Sequence, residues 1–132
     1  MGEVGGLKLI DDTYNASPDS VRAALDVIAG VESGRRFAVL GDMLELGGGA
    51  EEEHFKIGVY AKEKNIDGLF AFGPLSVHTV RGAGEIGRHF ADKESLTDAL
   101  DQTVEPGDVI LFKASNSMHA DTILEEIRKR RR

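Results

Sequence analysis

The sequence predicts a three-layer α/β/α domain, built on a mostly parallel sheet of five or six strands. Three observations carry that expectation. Apolar runs of four residues recur at 37–40 (FAVL), 69–72 (LFAF) and 109–112 (VILF). Segments of helical periodicity lie between them, and each run closes on glycine or on polar residues. A run that is apolar throughout, too short for a helix, marks a strand covered on both faces; alternated with helices, such strands form a parallel sheet. The architecture is Rossmann-like.

The first strand lies in residues 7–20, LKLIDDTYNASPDS, where Leu7, Leu9 and Ile10 run into the carboxylates Asp11 and Asp12. The turn Thr13, Tyr14, Asn15, Ala16 is rich in hydrogen-bonding groups. Ser17 followed by Pro18 then reads as an N-cap with proline at the first helical position. Val21, Ala24, Leu25 and Ile28 share one face of the helix that follows, which stops near Gly30. After the strand at 37–40 comes the loop GDMLELGGG, carrying Asp42 and Glu45, and a helix from about Ala50 to Asn65 with His54 in its first turn. The strand at 69–72 leads to a short helix over 75–81 and a glycine-broken connection over 82–87. His89, Phe90 and Ala91 make a brief strand, Asp92 caps a helix to about Val104, and the strand at 109–112 ends in Lys113, Ala114, Ser115, Asn116 and Ser117. A last helix runs from Met118 to about Arg128. Residues 1–6 are glycine-rich and patternless and read as a mobile lead-in or as the remnant of a boundary with an upstream segment.

At 132 residues the chain fits one domain. It has no cysteine, which excludes disulfides, thiolate metal sites and cysteine nucleophiles and suits a cytoplasmic protein. No apolar run approaches the roughly 18 residues of a membrane span, and the start lacks a signal-peptide pattern. A net charge of −7 argues against nucleic-acid binding, which needs a basic face. The basic run over 128–132 reads as a solvated helix end whose cations complement the dipole.

Residues 82–87 match the spacing G-x-G-x-x-G, but they follow a helix rather than a strand, so the match reads as coincidence. The chain has no G-x-x-x-x-G-K-[ST] loop, and any ATP contact must therefore be shared with another domain or protein. His54, His78, His89 and His119 lack metal-ligand spacing, and no metal site is expected. His54 has two readings, a site residue or a side chain bonded to nearby backbone. Asp11 and Asp12 face opposite sides of their strand, and Asp12 is the one expected to point into a crevice. Lys113 offers a cation for a phosphate or carboxylate, or is a snorkelling lysine at a sheet edge. Asp12, Asp42 and Lys113, all at strand ends on one side of the sheet, together predict a binding crevice.

The segments LIDDTYNASPDSVRAALDV, FAVLGDMLELG, EEHFKIGVYA and VILFKASNSMHAD resemble, in this order, the C-terminal domain of the Mur ligases, from about Leu7 to Ile127. Within that family they are most similar to the ligases that add D-alanyl-D-alanine to UDP-N-acetylmuramoyl-tripeptide. The resemblance implies a fragment, inactive alone and without catalytic residues of its own. The partner domains of the same chain would be an N-terminal one for the UDP-sugar peptide and a central one holding most of the ATP and Mg2+. It implies ATP contacts at Asp12, Tyr14 and Asn15. It implies contacts to the incoming dipeptide at Asn15, Ser17, Asp42, Glu45, His54, Lys113, Ser115 and Asn116. The family's last loop is closer to K-G-S-R-G-M; Ala114 and Asn116 replace its glycine and arginine, removing a planar anchor for a carboxylate. The alternative to a ligase fragment is a free-standing nucleotide- or partner-binding module of the same fold.

Overall fold

Six strands pair in the order β1-β2-β6-β3-β4-β5 in the computed structural model, which describes residues 2–132. They are β1 (Gly2–Val4), β2 (Leu7–Asp12), β3 (Arg36–Leu40), β4 (Gly68–Phe72), β5 (Gly87–Phe90) and β6 (Val109–Lys113). All neighbours are parallel except β1 and β2. The helices are α1 (Pro18–Ala29), α2 (Ala50–Glu63), α3 (Ser76–Ala83), α4 (Lys93–Thr103) and α5 (Asp121–Arg131).

Strand alternation divides the core in two. Ala38, Leu40, Leu69, Ala71 and Leu111 meet Val21, Leu25 and Ile28 of α1, Ile57 and Ala61 of α2, and Ala83 of α3. Leu9, Phe37, Val39, Phe70, Ile110 and Phe112 point the other way, onto Leu96 and Leu100 of α4 and Ile123, Leu124 and Ile127 of α5. Burial on both sides explains why β3, β4 and β6 are apolar throughout.

This division also places the site. The helices after β2 and β3 cover one face, whereas the helix after β6, which lies between those two strands, covers the other. Connections that diverge from neighbouring strands leave a crevice at the carboxyl end of the sheet. That crevice opens over the ends of β2, β6 and β3.

Four expectations need correction. Gly2–Val4, expected as a lead-in, is an edge strand paired antiparallel with β2, Val4 opposite Leu7. Gly5 and Gly6 both have positive φ, 53° and 81°, as a two-residue type I′ hairpin turn requires. Met1 lies outside the described residues. Second, α3 continues to Ala83 and a 3-10 turn (Gly84–Ile86) fills most of the expected connection. Only glycine fits at position 82, where α3 packs against the main chain of Phe55 on α2. Third, residues 116–118 form a 3-10 turn and α5 begins only at Asp121, after His119 in the left-handed region (φ 54°). Fourth, the basic run is not simply solvated. Arg131 bonds the Asp101 carboxylate at 2.8 Å and the carbonyls of Asp101 and Val104, and Arg130 reaches Asp98 at 3.0 Å. Arg131 thereby closes the C-terminal end of α4, whose free carbonyls need donors.

Candidate functional site

Asp12 and Lys113 are in-register partners on adjacent parallel strands, on the face covered by α1. The Lys113 ammonium lies 2.9 Å from the Asp12 carboxylate and donates to the Asn15 carbonyl at 2.9 Å. Its side chain is 2% exposed while that of Asp12 is 44% exposed, so the pair turns its acid end to solvent. Burial of a lysine is tolerable only with such partners. Lys113 is thus neither a snorkelling edge residue nor an open cation: β6 is central, and the ammonium is engaged.

The turn after β2 is fixed by its own side chains. Asp11 points away from the groove and accepts from Thr13 N–H and hydroxyl at 3.3 and 2.8 Å, closing a local turn. Asn15 Oδ1 accepts from Ala16 N–H at 2.9 Å. Ser17 caps α1: its hydroxyl accepts from Ser20 N–H at 3.2 Å, and the Ser20 hydroxyl accepts from Ser17 N–H at 2.9 Å. Pro18 takes the first helical position. Tyr14 is left 84% exposed. Asp12, Tyr14, Asn15, Ser17 and Lys113 line a groove of about 400 Å³, closed on its other side by Ser20, Ala23, Ala24 and Val27 of α1. It joins a polar floor to an apolar wall beside the capped start of α1.

The remaining expected residues are split between the loop after β3 (Asp42, Glu45), helix α2 (His54) and the segment after β6 (Ser115, Asn116). Asp42 is 1% exposed and accepts from Leu75 N–H at 3.2 Å, from Ser76 N–H at 2.8 Å and from the Ser76 hydroxyl at 2.7 Å. It supplies the start of α3 with the acceptor that the helix lacks from its own N-cap. His54, also 1% exposed, accepts from Met43 N–H at 2.9 Å and lies 2.7 Å from the Ala50 carbonyl. His54 thus bonds nearby backbone, as one of its two readings expected, and the polar atoms of both side chains are engaged within the domain. Ser115 is buried, its hydroxyl accepting from Leu44 N–H at 2.9 Å. Glu45 and Asn116 are exposed, Glu45 in the left-handed region at φ 62°.

Sequence reasoning missed Ser20, Ala23 and Val27 as groove residues. Their spacing along α1, on the side away from Val21, Leu25 and Ile28, was the available signal. Among the described residues no three His, Asp or Glu side chains converge as a metal-binding set, and no helix is long and apolar enough to cross a membrane. The donor set of this groove, one carboxylate already paired with an ammonium, does not fit Mg2+ by itself.

The crevice and its loops belong to a recognisable lineage, since the family model described as "Mur ligase, glutamate ligase domain" matches residues 1–116. The chain belongs to this family. A UDP-N-acetylmuramoyl-tripeptide--D-alanyl-D-alanine ligase of Bacillus subtilis (strain 168) is 37% identical over 128 residues, covering 92% of this chain and 28% of the relative. The crystal structure of the MurF ligase from Thermotoga maritima in complex with ADP superposes with a TM-score of 0.87 at 31% identity, over 97% of this chain and 29% of that one. A MurF structure from Acinetobacter baumannii gives a TM-score of 0.88 at 29% identity, over 98% and 29%. This Mur ligase domain therefore spans little more than a quarter of the length of the relatives it matches.

Proposed function

We propose that this domain is the C-terminal part of an ATP-dependent, cytoplasmic amide ligase that adds D-alanyl-D-alanine to UDP-N-acetylmuramoyl-tripeptide, and that it is inactive alone. The observation that carries the proposal is the groove over the Asp12–Lys113 pair, in a chain of this family that has no phosphate loop of its own. In this reading the domain works with an N-terminal domain for the UDP-sugar peptide and a central domain that holds the triphosphate and Mg2+. ATP phosphorylates the tripeptide carboxylate, releasing ADP; the dipeptide amine then attacks the acyl carbon, and phosphate leaves as the amide forms.

The chain's own residues divide that work. The exposed Asp12 carboxylate accepts from the ribose hydroxyls, while Tyr14 and Asn15 flank the nucleoside against the α1 wall. Ser17, Glu45 and Asn116 face the dipeptide. Lys113 and Ser115 act from beneath, Lys113 holding Asp12 and the Asn15 carbonyl in place. A groove this open binds weakly alone and contributes by bringing amine and acyl phosphate together on closure, where positioning supplies up to roughly 7–11 kcal/mol.

The test is to join the domain to the central and N-terminal domains of the Bacillus relative and to measure ATP-driven ligation of D-alanyl-D-alanine. Ligation that falls at least about tenfold in Asp12→Asn, which keeps an acceptor for Lys113, while the variant stays folded by its unfolding curve supports the reading, tenfold being about 1.4 kcal/mol. No ligation by the wild-type chimera, together with no amide shifts around Asp12 and Tyr14 when ATP is titrated into the isolated domain, overturns it.

A further inference from the structure

The loop between β3 and α2 is bracketed by four hydrogen bonds. Gly41 N–H donates to the Lys113 carbonyl at 3.0 Å, and Ser115 N–H donates to the Asp42 carbonyl at 3.1 Å. Met43 N–H donates to His54 Nε2, and Leu44 N–H donates to the Ser115 hydroxyl, both at 2.9 Å. His54 is the member that comes from a helix instead of a strand end. The Ala50 carbonyl beside its Nδ1 can only accept, so Nδ1 carries the hydrogen and Nε2 keeps the lone pair that Met43 uses. His54 shares the lining of a small internal cavity with Val21, Leu40, Met43, Ile57 and Thr79.

One residue beyond this bracket the chain turns left-handed at Glu45, with an exposed side chain. A non-glycine residue is kept in that region only where its surroundings over-determine it. Met43 and Leu44, each tied by its amide, are those surroundings.

We infer that His54 is a positioning residue: through Met43 N–H, and together with Ser115 through Leu44 N–H, it fixes the loop that carries the exposed Glu45 carboxylate. The ligase reading enters only in what Glu45 then meets, the incoming dipeptide.

Two conservative substitutions separate the two bonds of the ring. Glutamine reaches as far as Nε2 and keeps an acceptor for Met43; asparagine reaches only Nδ1 and keeps the bond to Ala50. In this domain, amide exchange followed by NMR should show Met43 protected in the wild type and in His54→Gln, and exchanging roughly tenfold faster or more in His54→Asn, with Leu44 following. Ser115→Ala should release Leu44 first. In the chimera described above, His54→Asn should raise KM for D-alanyl-D-alanine about tenfold with kcat within about threefold, while His54→Gln stays near wild type. Unchanged Met43 exchange in His54→Asn overturns the inference. So does an equal rise of KM in both variants that merely tracks their loss of stability. A wild-type chimera that does not ligate counts against the ligase reading, and the exchange result then decides the bracket by itself.

Discussion

Lys113 and Asp12 meet at 2.9 Å across parallel strands with very unequal access to water, the ammonium 2% exposed and the carboxylate 44%. The inequality makes the two ends of the pair non-equivalent to mutation. Asp12→Ala strands a buried cation with only the Asn15 carbonyl, and uncompensated burial of a charge costs about 3–5 kcal/mol. Lys113→Met leaves a carboxylate that water reaches, for a loss nearer about 1 kcal/mol. Urea unfolding of both variants should therefore rank Asp12→Ala well below Lys113→Met, with Asp12→Asn between them because it keeps an acceptor. Equal losses would show that the Asn15 carbonyl alone satisfies the lysine.

The crossing of α2 and α3 depends on two glycines. A methyl group at Gly58 would overlap the Thr79 carbonyl, and one at Gly82 would overlap the Phe55 carbonyl, both main-chain atoms that cannot swing aside. Gly58→Ala and Gly82→Ala should each lower stability by about 1–3 kcal/mol, against the gain of a few tenths to 1 kcal/mol that alanine brings to an unhindered helix. Thermal unfolding checks the sign, and a stabilised variant would show that the helices move apart freely.

Between α1 and α2, Asp26 accepts from the Tyr60 hydroxyl at 2.6 Å and pairs with Lys64 at 3.1 Å. The tyrosine hydrogen bond first, and the lysine second, hold the Asp26 carboxyl below its ordinary value. Asp26 raises the Tyr60 hydroxyl and, as the lysine's leading influence too, the Lys64 ammonium. A carboxyl with a lowered value stabilises the fold fully above the unfolded value of about 3.9 and loses that contribution as pH falls through the folded value. Tyrosine and lysine run the other way, their share being lost as pH rises past about 10. Asp26→Asn should flatten both the acid and the alkaline limbs of a stability profile measured by urea unfolding across pH. A variant profile parallel to wild type at both ends would remove the triad from the pH dependence.

The strands at 37–40, 69–72 and 109–112 were legible because burial on both faces forces an unbroken apolar run, and the Ser17-Pro18 helix start because a cap and its proline sit side by side. The Asp12 crevice was legible for the same local reason, an apolar run ending in acids. What stayed hidden was set by partners distant in sequence. Asp42 looks like any polar strand end until Ser76, 34 positions on, is folded onto it. Lys113 looks like a free cation until Asn15, 98 positions away, offers its carbonyl. The hairpin at Gly5-Gly6 is a different case: its turn signal is in the sequence, but three residues of strand on one side are too few to show an alternation.

The C-terminal arginines offer a last measurement, because their acceptors lie on another helix. Arg131 spends its guanidinium on the Asp101 carboxylate and on the carbonyls of Asp101 and Val104, the open end of α4. Lysine keeps the charge but cannot spread donors over three acceptors in one plane. Arg131→Lys should therefore lose part of the stability, and Arg131→Ala about 1.5–3 kcal/mol, the range for hydrogen bonds to a charged group. Added salt discriminates the cause. A contribution carried by charge alone would fade between low and 1 M salt, where the screening length shrinks to about 3 Å, whereas the bonds to the two carbonyls persist. Denaturation of the wild type and both variants at the two salt concentrations should leave most of the Arg131→Ala loss in place at high salt; its disappearance would reduce the residue to a surface ion pair.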